Sequence, residues 1–186
     1  MQMLIFVDNS CIKVLMDTLL AISTLALAFV TAWMAWSTRE LANESRKASF
    51  RQIGVQTWLE FTKRFDSEKM LNARAKLASH IQTYGNDATY FKEISETVLN
   101  FFEDLGTCYH NKYIDEKLAS DSFSFYVCRY WEVSKPYIEH ERENHNRDNS
   151  LFYEFEKLAA MMKSQNDLID ASEIKIFLQD EKNVNF

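Results

Sequence analysis

The sequence predicts an all-α fold in which an N-terminal transmembrane helix continues through a stalk into a cytoplasmic bundle of about five helices. Three observations carry this prediction. Residues 18–36 form an uncharged run that contains neither proline nor glycine. The chain of 186 residues has only three glycines and one proline, and both are residues that sheets and turns use heavily. Beyond residue 50, apolar residues recur at the spacing of one helix face.

The uncharged run has the length of a membrane span. Nineteen residues in a helix cover about 28 Å, close to the thickness of the hydrocarbon core of a bilayer. The alternatives are a buried core helix and a cleaved signal peptide. A signal peptide begins with a basic segment, whereas the residues before this run include Asp8, Lys13 and Asp17. Because Trp33 and Trp36 also favour a membrane–water interface, we predict an uncleaved transmembrane helix.

Basic residues follow the run. Residues 37–64 contain six basic and three acidic side chains, a difference of +3. Since cytoplasmic flanks are enriched in lysine and arginine, we expect the N-terminus outside and the C-terminal part in the cytoplasm. The alternative is a solvated basic helix face, and both can hold at once. The lipid bilayer is the expected contact of four of these residues, which can lie against anionic headgroups: Arg39, Arg46, Lys47 and Arg51.

Small residues recur along one face of the run. Thr24, Ala28 and Ala32 lie at i, i+4 and i+8, a spacing at which two membrane helices approach closely. Alanine is common in such helices. Self-association through this face into a homo-oligomer is therefore a minor hypothesis.

The rest of the chain has the opposite charge. Residues 65–186 contain 14 basic and 22 acidic side chains, a difference of −8. This balance argues against nonspecific nucleic-acid binding, so no nucleic acid is expected as a partner. We divide the chain into an extracytoplasmic tail (1–17), a transmembrane helix (18–36), a basic juxtamembrane stalk (37–65), an acidic helical bundle (66–165) and a polar tail (166–186).

Several residues mark helix ends within the bundle. Asp66 or Ser67 can cap a helix that stops at Gly85, and Asp115 can cap another. Gly106 either breaks a helix or packs closely inside one. Aromatic residues alternate briefly in residues 122–130, but their i, i+4 spacing favours helix over strand.

The C-terminal third predicts two further features. Pro136 should kink or restart a helix. A last good helix is expected at residues 151–162. The polar tail carries one apolar patch around Phe177, so it is either a short docking helix or mostly disordered.

Aromatic and capping residues together resemble a known family. The segments that carry the resemblance occur in the following order: Phe101-Phe102-Glu103-Asp104-Leu105-Gly106, Tyr113-Ile114-Asp115, Arg129-Tyr130-Trp131-Glu132, Pro136-Tyr137-Ile138, Arg142 and Phe152-Tyr153-Phe155-Leu158-Ala159. Over roughly residues 51–162 the chain is similar to the bacterial family called domain of unknown function 4760. The resemblance implies a membrane helix joined to a helical cytoplasmic domain, and it implies no activity.

Polar residues set among these aromatics form the candidate partner site. One interpretation is a pocket for a partner or ligand. The other, which we favour, is a buried pair of arginine and carboxylate that joins two helices, because a buried charge needs a partner. The candidate residues are Glu103, Asp104, Arg129, Tyr130, Trp131 and Glu132.

Two catalytic hypotheses are weaker. The segment from Glu139 to His145 is rich in histidine and glutamate, but His140 and His145 are five residues apart and point about 140° apart on a helix, so we predict no metal site. Arg74 and His80 loosely fit the spacing of the HEPN ribonucleases, although Ala75 stands where those enzymes have a polar residue. We expect no cofactor, because nucleotide-binding, nucleophile-elbow and haem-attachment motifs are all absent from the sequence.

The function predicted from the sequence is therefore non-enzymatic. We expect a single-pass inner-membrane protein whose cytoplasmic helices bind an unidentified protein. Small membrane-anchored proteins of this kind resemble components of bacterial defence systems, so the chain is expected to be the membrane arm of a defence or stress-response system. The alternatives are a membrane-perturbing oligomeric effector or toxin and, more remotely, a HEPN-like ribonuclease.

Overall fold

The computed structural model describes residues 9–85, 88–163 and 170–184, with side chains described for residues 12–85, 95–163 and 170–184. Parts of the predicted tails, residues 1–8, 166–169 and 185–186, lie outside this description. The described residues form six helices and no strand, which confirms the all-α prediction. The chain divides into two units, Met1–Ser49 and Phe50–Phe186.

The first unit is helical from Asn9 and belongs to helix α1, Asn9–Phe65. An 18-residue window near its N-terminus has a mean hydropathy of 2.0 and none of it is buried within the chain. This is the one described helix that is long and apolar enough to cross a membrane, although a signal sequence has the same properties. The Trp33 and Trp36 rings lie 5.7 Å apart.

The second unit contains the end of α1 and five further helices. These are α2 (Glu68–Tyr84), α3 (Ala88–His110), α4 (Glu116–Asn144), α5 (Tyr153–Lys163) and α6 (Ala171–Lys182). Helix α3 packs most extensively on α5, and α2 packs on α6 and α3. Four of these helices, α2 to α5, lie within the predicted bundle of residues 66–165, whereas α6 lies within the predicted polar tail.

Local side chains define several of the helix ends. Ser67 accepts a hydrogen bond from the backbone N–H of Met70 at 3.3 Å and caps α2. Gly85 ends α2 with φ +68°, in the left-handed region that glycine tolerates best. Asp115 accepts from the N–H of Leu118 at 2.9 Å and caps α4. All three ends are as predicted.

Aromatic rings fill the centre of the bundle. Phe101 and Phe102 from α3 are fully buried, and the Phe102 ring stacks on Phe155 of α5 at 5.1 Å. Phe65 at the end of α1 contacts Phe123 of α4 edge to face at 5.5 Å. Such edge-to-face and offset contacts are the favoured geometries of aromatic pairs. The aromatic residues that suggested a family pattern are mostly core residues.

Three features of the C-terminal third answer questions that the sequence leaves open. Helix α4 continues through Pro136, so the chain does not restart a helix there. Helix α5 begins at Tyr153 and follows Phe152, whose φ of +54° is unusual for a large side chain. The polar tail contains the docking helix α6, in which Phe177 and Leu178 are buried.

Candidate functional site

The most chemically distinctive position in the bundle is Arg74. It lies on the apolar stripe of α2 between Met70 and Leu77, and its side chain is 4 % exposed. Its guanidinium carbon lies 4.0 Å from the centre of the Phe65 ring and 4.9 Å from the centre of the Tyr126 ring. An arginine over aromatic faces gains cation–π attraction, which is stronger where water is excluded.

Glu181 of α6 neutralises this buried arginine. Arg74 donates two parallel hydrogen bonds to the Glu181 carboxylate, at 2.6 Å from Nε and 2.5 Å from the terminal nitrogen. The hydroxyl of Tyr130 on α4 donates to the same carboxylate at 2.5 Å. We call Arg74, Glu181 and Tyr130 the buried triad. It joins α2, α4 and α6 at one point.

The electrostatics of the triad follow from its burial. Burial alone would lower the pKa of Arg74, but its hydrogen bond to Glu181 and the charges of Tyr130 and Glu181 raise that pKa above its ordinary value. Burial and the negative charge of Glu181 raise the pKa of Tyr130 well above its ordinary value. At neutral pH the arginine is therefore cationic and the tyrosine is a hydrogen-bond donor.

A second polar site lies between α3 and α5. The Glu103 carboxylate accepts hydrogen bonds from the backbone N–H groups of Glu154, at 3.3 Å, and Phe155, at 2.8 Å. These groups belong to the first turn of α5, where helix N–H groups lack partners within the helix. Burial raises the pKa of Glu103, and the two backbone hydrogen bonds oppose that rise. Glu103 thus caps α5 from a neighbouring helix.

Gly106 lies one turn after Glu103 on α3. A Cβ atom at this position would overlap the backbone oxygen of Glu154. Such a contact is closer than any real Cβ atom tolerates, so α3 and α5 are in backbone contact here. Of the two roles predicted for Gly106, the structure shows close packing.

The six candidate residues do not form one cluster. Asp104 pairs with Arg64 at an exposed site, and Glu103 caps α5. Arg129 and Tyr130 contact Glu173 and Glu181 of α6, respectively. The two remaining residues contact α5 and its end: Trp131 packs edge to face on Phe155, and Glu132 accepts from Lys163 at 2.6 Å.

Residues predicted at the membrane are exposed within the chain. Thr24, Ala28 and Ala32 are exposed, and the Thr24 hydroxyl donates to the backbone oxygen of Leu20 at 2.7 Å. The basic residues predicted at the membrane surface are exposed as well, namely Arg39, Arg46, Lys47 and Arg51. Contact with lipid or with another copy of the helix stays a prediction.

The described side chains contain no group of three histidine, cysteine, aspartate or glutamate residues that could hold a metal ion. His140 is exposed, and His145 Nδ1 lies 2.8 Å from the backbone oxygen of Glu141. The cleft beside His145 has a volume of about 210 Å³ and includes Tyr137, whose pKa burial and the charge of Glu141 raise to about 12.

The two residues suggested for a ribonuclease, Arg74 and His80, do not line an open cleft. Arg74 is buried against Glu181, and the His80 ring lies beside Tyr84 at 5.2 Å. A substrate phosphate would have to compete with Glu181 for the arginine. In the structure this arginine instead pairs with Glu181 of α6.

Sequence reasoning found Tyr130 but missed its two partners. A buried arginine–carboxylate pair was expected among the six candidates, whereas the observed pair is Arg74 and Glu181. Both residues carry a signal, because each is a charged residue at a stripe position. Glu181 follows Ile174, Phe177 and Leu178 at i+7, i+4 and i+3.

Comparison with protein families gives a match over residues 21–162 to the model described as domain of unknown function DUF4760. The match covers most of the chain. This chain belongs to the DUF4760 family. The DUF4760 match includes Glu103, Gly106 and two members of the buried triad, whereas Glu181 lies beyond it. No curated protein and no solved structure matches the chain.

Proposed function

We propose that this DUF4760 protein is a single-pass inner-membrane protein whose first helix anchors an acidic helical domain at the cytoplasmic face, where the domain binds a protein partner. The observation that carries the proposal is the apolar window of α1, which has a mean hydropathy of 2.0 and is entirely exposed within the chain. Apolar surface of this extent is unfavourable in water and favourable in hydrocarbon.

The hydroxyl side chains of the run support the same proposal. Thr18, Ser23, Thr24 and Thr31 each donate to a backbone oxygen three or four residues earlier, at 2.7 to 2.8 Å. In hydrocarbon no water is present to satisfy a polar group, so internal hydrogen bonds are required. The four hydroxyls of residues 18–36 meet this requirement without another chain.

Two further features support the finer parts of the proposal. The basic residues after the run favour a cytoplasmic C-terminal part. Near its end, α1 exposes two large apolar side chains three residues apart, Phe50 at 67 % and Ile53 at 49 %. Exposed apolar side chains that share a helix face form a candidate protein-binding surface. A role in bacterial defence or stress response extends this proposal, and the partner's identity would test it.

Membrane extraction tests the anchor. The chain should stay in the membrane at alkaline pH and retain its full mass of 21.9 kDa. Leu25→Lys with Leu27→Lys should release it, because each central charge costs about 3 kcal/mol in insertion. The matched control, Leu41→Lys with Ala42→Lys, places the same charges beyond the run and should stay anchored. A shortened chain in the soluble fraction would show a cleaved signal sequence instead.

Cysteine labelling tests the orientation. With Cys108 and Cys128 replaced by alanine, an impermeant maleimide should label Cys11 on intact spheroplasts. A second chain has the same two alanine replacements together with Cys11→Ser and Ser150→Cys, the last at an exposed site of the domain. It should be labelled only after lysis. The reverse labelling pattern would contradict a cytoplasmic domain.

A crosslinked pull-down from native membranes tests the partner. A C-terminally tagged chain should recover a specific protein at a fixed ratio, read by mass spectrometry together with the size of the complex. A homo-oligomer without a partner would instead favour the membrane-perturbing effector. Ion-leak assays would then replace the search for a partner.

A further inference from the structure

Helices α2 and α4 form a groove that α6 fills. Phe177 of α6 lies edge to face against Tyr130, with ring centres 5.1 Å apart, and 5.9 Å from the Phe125 ring. Beside it, Glu181 reaches Arg74 at the buried end of the groove. The groove therefore combines an aromatic wall with one buried cation.

The residues that α6 places in the groove follow a simple pattern. Ile174, Phe177, Leu178 and Glu181 lie at i, i+3, i+4 and i+7, on one helix face. Ile174 is half-buried, and the other three are buried. Proteins that bind an amphipathic helix in a groove read anchors at these same intervals. The contact within this chain thus has the form of a peptide-recognition site with its ligand attached.

Helix α6 contributes few fully buried side chains to the groove. Three of its twelve residues are buried, and one of these is the charged Glu181. The family match includes Arg74 and Tyr130 but ends at residue 162, before α6. The groove therefore belongs to the family-matched bundle, while its occupant lies outside the matched residues.

We propose that this groove is a recognition site for an acidic amphipathic helix of a partner protein, and that α6 is its resident occupant, which the partner helix displaces. The partner helix carries apolar side chains at i, i+3 and i+4, the second of them aromatic, and a carboxylate at i+7. This inference deepens the proposed protein-binding function and is independent of the membrane anchor.

The buried arginine makes the carboxylate a requirement. A guanidinium removed from water needs a partner that accepts its hydrogen bonds, and the two observed bonds to Glu181 match the geometry of a carboxylate. A helix with an apolar or amide residue at i+7 would leave Arg74 without a negative charge. The groove therefore selects for charge as well as shape.

A labelled peptide of residues 170–184 tests the site on the full chain in detergent micelles. In the wild-type chain the attached α6 competes at an effective concentration of about 1 mM, so the peptide should bind weakly. Glu181→Gln weakens the resident helix, and peptide affinity for that chain should rise by about tenfold or more. The matched control is the same peptide with Glu181→Gln, and its affinity for the Glu181→Gln chain should not show this increase.

A disulfide lock shows where the peptide binds. Gln82 of α2 donates to Gln179 of α6 at 3.3 Å, and both side chains are exposed. In a Glu181→Gln chain with Gln82→Cys and Gln179→Cys, oxidation should abolish peptide binding and reduction should restore it. Equal binding in the two redox states would place the peptide elsewhere and overturn the proposal.

Two other results would overturn it. One is the absence of peptide binding to the Glu181→Gln chain. This result counts against the proposal both when hydrogen exchange shows that α6 is released and when it shows that α6 is still docked. The other is a disulfide between a Gln82→Cys copy and a Gln179→Cys copy of otherwise wild-type chain, which would assign the groove to α6 of a second copy. Release of the chain from the membrane at alkaline pH would contradict the anchor but would not change the peptide-binding and disulfide results. The two proposals can therefore fail separately.

Discussion

Helices α5 and α6 are similar in length but attach to the bundle in different ways. Helix α5 buries Phe155, Leu158, Ala159 and Met162, its backbone touches α3 at Gly106, and Glu103 caps its first turn. Helix α6 buries Phe177 and Leu178 together with a charged residue.

This difference separates two kinds of attachment. The contact of α5 combines apolar burial with backbone contact, which leaves no space for rearrangement. The contact of α6 combines two buried apolar side chains with a buried ion pair, whose Coulomb attraction is largely offset by the desolvation of its two charges. We therefore expect α5 to leave only when the core unfolds, and α6 to leave as a separate unit.

The largest predicted effect on the free energy of global unfolding is at the α5 contact. Gly106→Ala should lower the free energy of unfolding by about 3 kcal/mol, because the new methyl group overlaps the Glu154 backbone. Urea unfolding of the full chain in micelles, followed by circular dichroism, measures this change. Gly54→Ala is the matched control. Its Cβ would lie 3.2 Å from the Asp115 nitrogen, and the helix propensity of alanine, about 1 kcal/mol better, offsets that strain. Equal stability of the two variants would contradict backbone contact at Gly106.

The second prediction concerns the buried triad. Arg74→Met leaves Glu181 buried without its cation, which costs about 3 to 5 kcal/mol at the α6 contact, so α6 should undock. Replacing all three polar members, with Arg74→Met, Tyr130→Phe and Glu181→Leu, should restore docking because no charge is left unpaired. Hydrogen exchange of α6 amides measures both. A triple variant as loosely docked as Arg74→Met would show that α6 needs the ion pair itself.

The third prediction concerns the cap of α5. Glu103→Ala should cost about 1 kcal/mol, the usual contribution of an N-cap. Because burial raises the pKa of Glu103 above 4.5, its protonation stabilises the fold in full below pH 4.5, and this contribution is lost as the pH rises through the raised pKa. The stability difference between wild type and variant should therefore shrink over that interval. The neighbouring control, Asp104→Ala, breaks an exposed ion pair and should show a smaller change.

The smallest predicted effect is at the edge of the α6 contact. Arg129 pairs with Glu173 at 3.0 Å, where the Glu173 side chain is 51 % exposed. Arg129→Ala should weaken α6 docking by about 0.5 kcal/mol, and 1 M salt should remove most of that difference. The exchange rate of α6 amides at low and high salt measures it, with the exposed Lys175→Ala as a control. An effect as large as that of Arg74→Met would make the edge, rather than the buried triad, the main attachment.

Local chemistry made much of the fold predictable from the sequence. The apolar run, the caps Ser67 and Asp115 and the stop at Gly85 act through residues within one turn of themselves, so their effect can be read in order along the chain. The close packing of Gly106 was one of two open alternatives, because the sequence does not show which helix faces it.

The buried triad could not be predicted from the sequence, because the sequence does not show which helices face one another. Arg74 and Glu181 are separated by 107 positions, and their pairing depends on how α2 and α6 pack. Arg129 and Glu103 were expected to share a polar cluster, yet they contact different helices. A charged residue on an apolar stripe was the available signal, and it identifies a residue that needs a partner without naming that partner.

Native-state hydrogen exchange of the wild-type chain tests the central comparison most directly. We predict that amides of α6 exchange through an opening that costs less free energy than the opening of α5, whose amides exchange only with global unfolding. Exchange of α5 and α6 with the same free energy would contradict this account, because the two helices would then belong to one cooperative unit.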